Sequence, residues 1–326
     1  MENSREFSLK NIIGKCKGNC KMAEENYHIP ALLTPTLDLL EIKPEGVYVD
    51  ATFGGGGHSR AILDRLGPDG RLFGFDRDID ALRNAPDDPR FTFVHSDYRF
   101  IPNFLHFHGV DKVDGLLADL GVSFHHFDDA SRGFSFREDA PLDMRMNRSG
   151  ERTAADILRD ATPEQLEQML RSYTDLKRSG VLASAIVRNR EHSPIDTTAR
   201  LTEVLTPLLN PRNLKKDLAQ AFQALRIQTN DEMQSLRVLL DNSLRVLKPG
   251  GRLAVITYHS IEDRLVKNFM RAGNTEGHVR QDLYGRVMTP WKPVTKSPIT
   301  PDAEEVERNP RSRSAKLRVA ELTDHC

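Results

Sequence analysis

The chain has 326 residues, 38% hydrophobic and 29% charged, with 46 Lys and Arg against 47 Asp and Glu and a formal net charge of −1. That balance describes a soluble globular protein with a substantial core, long for one domain and comfortable for two. No apolar run approaches the ~18 residues that span a bilayer, and Met1-Glu2-Asn3-Ser4-Arg5-Glu6-Phe7 lacks the apolar core of a signal peptide, so a cytoplasmic protein with no membrane partner is expected.

Residues 1–25 read as a polar, lysine-dotted tail without a sustained period. A lead-in broken by Pro30 and Pro35 then precedes a short helix over 36–40. Val47-Tyr48-Val49-Asp50-Ala51-Thr52-Phe53 reads as a buried strand and runs into four glycines, Gly54 to Gly57, and His58. After them, Ser59 to Leu66 carries apolar residues at helical spacing. Strand, glycine turn and helix make the first βα unit of a nucleotide-binding α/β fold, where a Cβ would keep a ligand from the backbone. No Lys-Ser or Lys-Thr follows, so this is not a phosphate-gripping P-loop, and the spacing is not that of dinucleotide enzymes. A nucleoside ligand without a pyrophosphate, such as S-adenosylmethionine, fits better.

A second strand, 71–76, ends in Asp76, where such folds place a carboxylate for ribose hydroxyls. Residues 91–95 alternate as a third strand and 113–120 form a buried fourth. From about 141 to 222 only helical patterning remains, with Thr162-Pro163-Glu164-Gln165 as a helix start and Ser193-Pro194 and Asn210-Pro211 as breakers. A helix over 231–247, closed by Pro249-Gly250-Gly251, leads to a fifth strand over 252–259. The expected fold is therefore α/β, a doubly wound and mostly parallel sheet over 26–140 and 223–322, with an all-helical domain inserted over 141–222.

Charge and cysteine narrow the chemistry. Between Arg145 and Lys216 there are thirteen Lys and Arg against nine Asp and Glu, and between Arg264 and Arg318 twelve against six. Such local basic surface suits an RNA binder, and it also suits ordinary solvated helices. Cys16, Cys20 and Cys326 leave the body without a thiol nucleophile. A zinc site at Cys16 and Cys20 would need two more ligands, and only His28 is near. His125, His126, Asp128 and Asp129 are metal-like in a line, but adjacent residues rarely ligate one ion, so no metal is expected.

Several longer motifs stand in order along the chain: Asp119-Leu120-Gly121-Val122-Ser123, Arg132-Gly133-Phe134-Ser135-Phe136 and Pro141-Leu142-Asp143-Met144-Arg145-Met146. His259-Ser260-Ile261-Glu262-Asp263-Arg264 and Asn309-Pro310-Arg311-Ser312-Arg313 follow. With the 50–58 loop, they resemble the bacterial ribosomal RNA small-subunit methyltransferase H family. The resemblance implies a Rossmann-like class I methyltransferase that uses S-adenosyl-L-methionine to methylate N4 of a cytosine in the decoding region of 16S rRNA, within the small ribosomal subunit. Carried over motif by motif, it implies cofactor contacts at Gly56, Gly57, His58, Asp76, Tyr98 and Asp119. A seventh falls at His126, where the family usually has a glutamine.

The remaining motif residues admit blander readings. Phe134, Phe136, Met144 and Met146 read either as core or as a surface that stacks a flipped base. Arg311, Arg313 and Arg318 read either as a solvated face or as phosphate contacts. Glu262 and Asp263 are expected to cap the helix that follows them. Methylation at cytosine C5 would want a cysteine nucleophile, so an exocyclic amine or a hydroxyl is the expected acceptor. Asp119 is the first candidate to take the amino proton, and His259 the second.

Overall fold

A computed structural model describes residues 30–121 and 129–324. After a first helix, α1 (Leu33–Leu40), strands alternate with helices: β1 (Val47–Asp50), α2 (Gly57–Leu63), β2 (Arg71–Asp76), β3 (Phe91–His95), α3 (Ile101–Phe107) and β4 (Val113–Asp119). Among the described residues, five α-helices come next: α4 (Ala154–Asp160), α5 (Pro163–Tyr173), α6 (Ser179–His192), α7 (Thr198–Leu205) and α8 (Leu214–Thr229). The sheet resumes with α9 (Glu232–Val246), β5 (Leu247–Thr257) and α10 (Ser260–Ala272). The last part holds a small hairpin, β6 (Arg280–Gln281) and β7 (Val287–Met288), then β8 (Trp291–Pro293), α11 (Ala303–Arg308) and β9 (Lys316–Leu322).

Seven strands form one sheet in the order β3-β2-β1-β4-β5-β9-β8. The first five are parallel to their neighbours, while β9 pairs antiparallel with β5 and β8 antiparallel with β9. Successive strands step outward from β1 to β3, and the chain then returns to place β4 on the other side of β1. That reversal opens a crevice at the carboxyl ends of β1 and β4, where α/β sheets of this kind bind ligands.

The central strands read as unbroken apolar runs because both faces of the sheet are covered. Leu116 and Leu117 of β4, like Phe73 and Leu72 of β2, point to opposite layers. Leu116 and Phe73 join a core with Leu236, Val266 and Phe269, whereas Leu117 and Leu72 join one with Leu37, Leu40 and Ile62. A third core lies among the helices and the segment that leads into them, with Leu158, Leu166, Leu182, Leu201 and Phe222. Capping boxes at Thr153 with Asp156 and Thr162 with Gln165 start α4 and α5. Helix α8 bridges two cores, giving Phe222 and Leu225 to the helical core and Ile227 to the sheet core.

The segment before α4 fastens the helices to the sheet. Arg132, 3% exposed, pairs its Nη1 with Asp78 Oδ2 at 2.5 Å and donates through Nη2 to the carbonyls of Arg145 and Met146. Asn230, just past α8, accepts from the Met146 amide and donates to the Met144 carbonyl. Gly133 adopts φ +71°, and a Cβ there would meet the Pro141 carbonyl oxygen at 2.2 Å. Phe134 and Met144 are buried in the helical core, and Phe136 and Met146 pack against it, so these four build core and not a base-stacking surface.

Other sequence expectations need correcting. The first strand stops at Asp50, because the Asp50 carboxylate accepts from the Thr52 amide and turns the chain. Pro249-Gly250-Gly251 falls inside β5, beside a bulge in its pairing with β4, and β5 ends at Thr257. Strands β8 and β9 and the hairpin were not anticipated. Arg318, on β9, is neither a free solvated charge nor a phosphate ligand: its Nε lies 2.7 Å from Asp263 Oδ1, at 11% side-chain exposure.

Candidate active site

The crevice is built from the carboxyl ends of four strands. The loop after β1 turns on two left-handed glycines, Gly54 at φ +50° and Gly56 at +75°. A Cβ on Gly56 would lie 2.9 Å from the Phe53 ring, and one on Gly57 2.9 Å from Pro30, so packing alone demands glycine at both. Gly55 faces open space. The loop is held from outside: Asn84 Nδ2 donates to the Gly54 carbonyl and Arg60 Nη1 to that of Gly55.

Asp76 ends β2 and reaches the same loop. Its Oδ2 accepts from the Gly54 amide at 2.8 Å, and its Oδ1 from the Asp78 amide at 2.8 Å. One carboxylate therefore fixes both the glycine loop and the turn after β2. Tyr98 begins a helical turn after β3; its ring packs against the sheet core and faces the Arg77 guanidinium at 5.5 Å. Burial raises its phenol pKa. Arg77 is itself fixed by Asp97 and the Asn230 carbonyl, each at 2.8 Å.

Asp119 closes β4, and its environment is the most polar knot in the crevice. Its amide donates to Thr52 Oγ1 at 2.6 Å. The side chain, 19% exposed, lies with Oδ2 3.8 Å from His58 Nδ1. Oδ1 accepts from the Gly121 amide, and the Tyr258 hydroxyl hydrogen-bonds the carboxylate. Burial pushes the Asp119 carboxyl up to about 6, outweighing those two donors. Tyr258 is raised in turn by its own burial and the Asp119 charge. A Cβ on Gly121 would meet the Tyr258 ring at 2.8 Å, so glycine there lets the phenol approach.

Behind Asp119, His58 is 6% exposed and its Nε2 has no hydrogen-bond partner among the described residues. Burial lowers its pKa, with the Asp50 charge opposing, so the imidazole is neutral at neutral pH. Asp50, 1% exposed, accepts from Ser59 Oγ at 2.7 Å, and burial raises its pKa.

On β5's side, His259 and not the acids after it caps α10, its Nδ1 accepting from the Glu262 amide. Glu262 folds back instead, accepting from the Tyr258 amide at 3.0 Å and lying 2.9 Å from His259 Nε2, while Asp263 pairs with Arg318. Glu262 thus positions the Tyr258–His259 turn.

Of the seven residues expected from sequence, Gly56, Gly57, His58, Asp76 and Asp119 converge on this crevice, and Tyr98 stands beyond the end of the neighbouring β3. His126 lies outside the described residues, as do residues 1–25, Cys16, Cys20, His28 and Cys326. Tyr258 was missed: nothing in its local pattern signals that β5 carries it to Asp119. Among the described residues, no group of three or more His, Cys, Asp or Glu could hold a metal ion. None of their helices is long and apolar enough to cross a membrane.

A parallel sheet with a glycine-turned loop and acids at its strand ends is the frame of a class I, S-adenosylmethionine-dependent methyltransferase, and the loop fits a nucleoside ligand: Gly55 is open and Asp76 stands at its side. The model of the MraW methylase family matches residues 25–323, and the chain belongs to that family. Close relatives agree. The ribosomal RNA small subunit methyltransferase H of Parabacteroides distasonis is 57% identical over 296 residues, 90% of this chain and 97% of that protein. The enzymes of the same name from Bacteroides fragilis and Porphyromonas gingivalis are 54% and 50% identical over 92% and 93% of this chain, each covered to 99% of its own length.

Proposed function

We propose that this methyltransferase modifies the N4 amino group of a cytosine in the decoding region of 16S rRNA, within the small ribosomal subunit. The observation that carries the chemistry is the Asp119 carboxylate, held by Tyr258 and Gly121 at the mouth of the crevice with its pKa raised to about 6 by burial. Such a group is ionised at neutral pH yet basic enough to matter, the range in which general bases work best.

Gly56, Gly57 and His58 would hold the methionine and ribose side of the cofactor, Asp76 the ribose hydroxyls, and Tyr98 the base end. Bound there, S-adenosylmethionine supplies an electrophilic methyl group. The residues of the chain do the rest. Cytosine N4 is a poor nucleophile because its lone pair is delocalised into the ring. Asp119 accepts a hydrogen bond from the amino group, favours a pyramidal nitrogen, and takes the proton as the N–C bond forms. Tyr258 keeps that carboxylate aimed, and neutral His58 adds no competing charge. With the three cysteines at positions 16, 20 and 326, an attack at C5 through a thiol has no candidate in the body of the chain. The helical layer built on α4 to α8 would grip the RNA beyond the reacting base.

The test is mass mapping of modified nucleosides in 16S rRNA from a strain lacking the gene, with and without complementation. Loss of one N4-methylated cytidine, restored by the wild-type chain and not by Asp119→Asn, is expected. An unchanged nucleoside map would sink the proposal.

A further inference from the structure

The strongest feature outside the crevice is a small arm that follows α10. Strands β6 and β7 pair only with each other, Arg280 with Met288 and Gln281 with Val287, and form a two-stranded sheet apart from the main one. The root of the arm is fixed. Gly273 ends α10 at φ +73° against Pro290, the Thr323 amide donates to the Pro290 carbonyl at 2.8 Å, and buried Trp291 packs against Phe269 with tilted rings 5.7 Å apart. The tip is also ordered. The Asp282 carboxylate accepts from the amides of Tyr284 and Arg286 at 2.8 and 2.9 Å, and Gly285 turns the chain at φ +78°.

This framework holds apolar side chains in solvent. Leu283 is 101% exposed, Tyr284 86% and Met288 60%. Solvent-facing side chains of this size on an ordered tip point to an absent partner. The charge around them indicates which kind. Arg280 and Arg286 are exposed on the arm and have no carboxylate partner among the described residues, and Arg264, Lys267 and Arg271 lie exposed along one side of α10. Three of the nearby acids are already engaged: Asp282 with the tip amides, Asp263 with Arg318, and Glu276 with Thr275 Oγ1.

We infer that the 280–288 arm is a second RNA-docking element: Tyr284 stacks on an unpaired base while Arg280 and Arg286 contact flanking phosphates. An aromatic ring between unpaired guanidiniums fits single-stranded RNA, whose bases offer π faces and whose backbone offers charge. The arm stands away from the chemistry. Helix α10 begins at the carboxyl edge and carries the chain about 20 Å along its 13 residues before the arm starts. The arm therefore binds RNA remote from the reacting base and makes its contribution to substrate affinity. The inference rests on the rRNA substrate proposed above.

The experiment uses the full chain and small ribosomal subunits from a strain lacking the gene. Tyr284→Ala and the double variant Arg280→Gln/Arg286→Gln should each raise KM for subunits about ten- to a hundredfold, the loss expected for one stacked base or two phosphate contacts. The maximal rate and S-adenosylmethionine affinity should stay near wild type. The arginine variant should also flatten the salt dependence of KM. Tyr284→Phe should retain activity and Tyr284→Leu should not, because only an aromatic face stacks. Unchanged KM in all variants would overturn the inference. So would a Leu variant as good as Phe, the mark of an apolar protein contact, or a wild-type dimer that Tyr284→Ala dissociates in sedimentation. If the wild type itself fails to methylate subunits, the substrate reading falls and takes this inference with it.

Discussion

Asp119 is a costly residue to place where it is, and the cost has a measurable sign. A buried carboxyl at about 6 keeps its proton in the folded chain to higher pH than in the unfolded chain, where an aspartate titrates near 3.9. Between about pH 4 and pH 6 the folded state thus binds more protons, so stability falls as pH rises through that window and stays reduced above it. Asp119→Asn removes the buried charge. It should raise the melting midpoint by a few degrees at pH 7.5 and leave it unchanged at pH 4. The same substitution should slow single-turnover methyl transfer by about a hundredfold, the ordinary contribution of a positioned base. Normal transfer by the Asn variant at saturating cofactor would reduce Asp119 to a cofactor contact. In the wild type, the rate should drop about tenfold per pH unit below about 6. Tyr258→Phe deletes a hydrogen bond that favours the ionised form, so its acid limb should move to higher pH by about one unit. An unmoved limb would show that the phenol does not tune Asp119. Asp119 is legible in the sequence through the family resemblance that the 119–123 motif carries, at the end of the buried run 115–118. Tyr258 is not, since its role exists only once β4 and β5 lie side by side.

At the scale of elements, strands with both faces buried were the most legible. Strand β2 is bounded by its buried apolar run and by Asp76 at its end, while the half-buried edge strand β3 is marked by its alternation. Strand β9 was not seen, although Leu317, Val319, Ala320 and Leu322 are buried on it, because Arg318 and the arginines before it drew a surface reading. The hairpin arm has no buried face and so leaves no periodic signal at all. The turn after β2 carries a coupling that only the folded chain reveals. Asp76 holds the glycine loop, and two residues later Asp78 holds Arg132 and, through it, the segment leading into the helices. Breaking one side of such a buried pair strands the other charge, at about 3–5 kcal/mol. Asp78→Asn should therefore lower the melting midpoint by several degrees and weaken cofactor affinity by loosening the turn. The double variant Asp78→Asn/Arg132→Met should be clearly more stable than the sum of its parts predicts. Strict additivity in thermal melts would mean that the two side chains do not act as a pair.

For the molecule as a whole, the residues that build the three cores all fall within the family match over 25–323. The first 24 residues stand outside that match, and their sequence, with Lys10, Lys15, Lys17 and Lys21 spread through polar neighbours, carries no core-forming period. The positive charges of these residues add a weak, salt-sensitive attraction to RNA. Removing residues 1–24 should accordingly leave the circular dichroism spectrum and S-adenosylmethionine affinity unchanged. Methylation of small subunits should stay within about threefold of wild type at physiological salt, the small remainder coming from the lost lysines. A fall in kcat/KM beyond about tenfold in a folded protein, about 1.4 kcal/mol of transition-state stabilisation, would overturn this view. It would show that the tail supplies a specific substrate contact and that the matched region is not the whole of the catalytic unit.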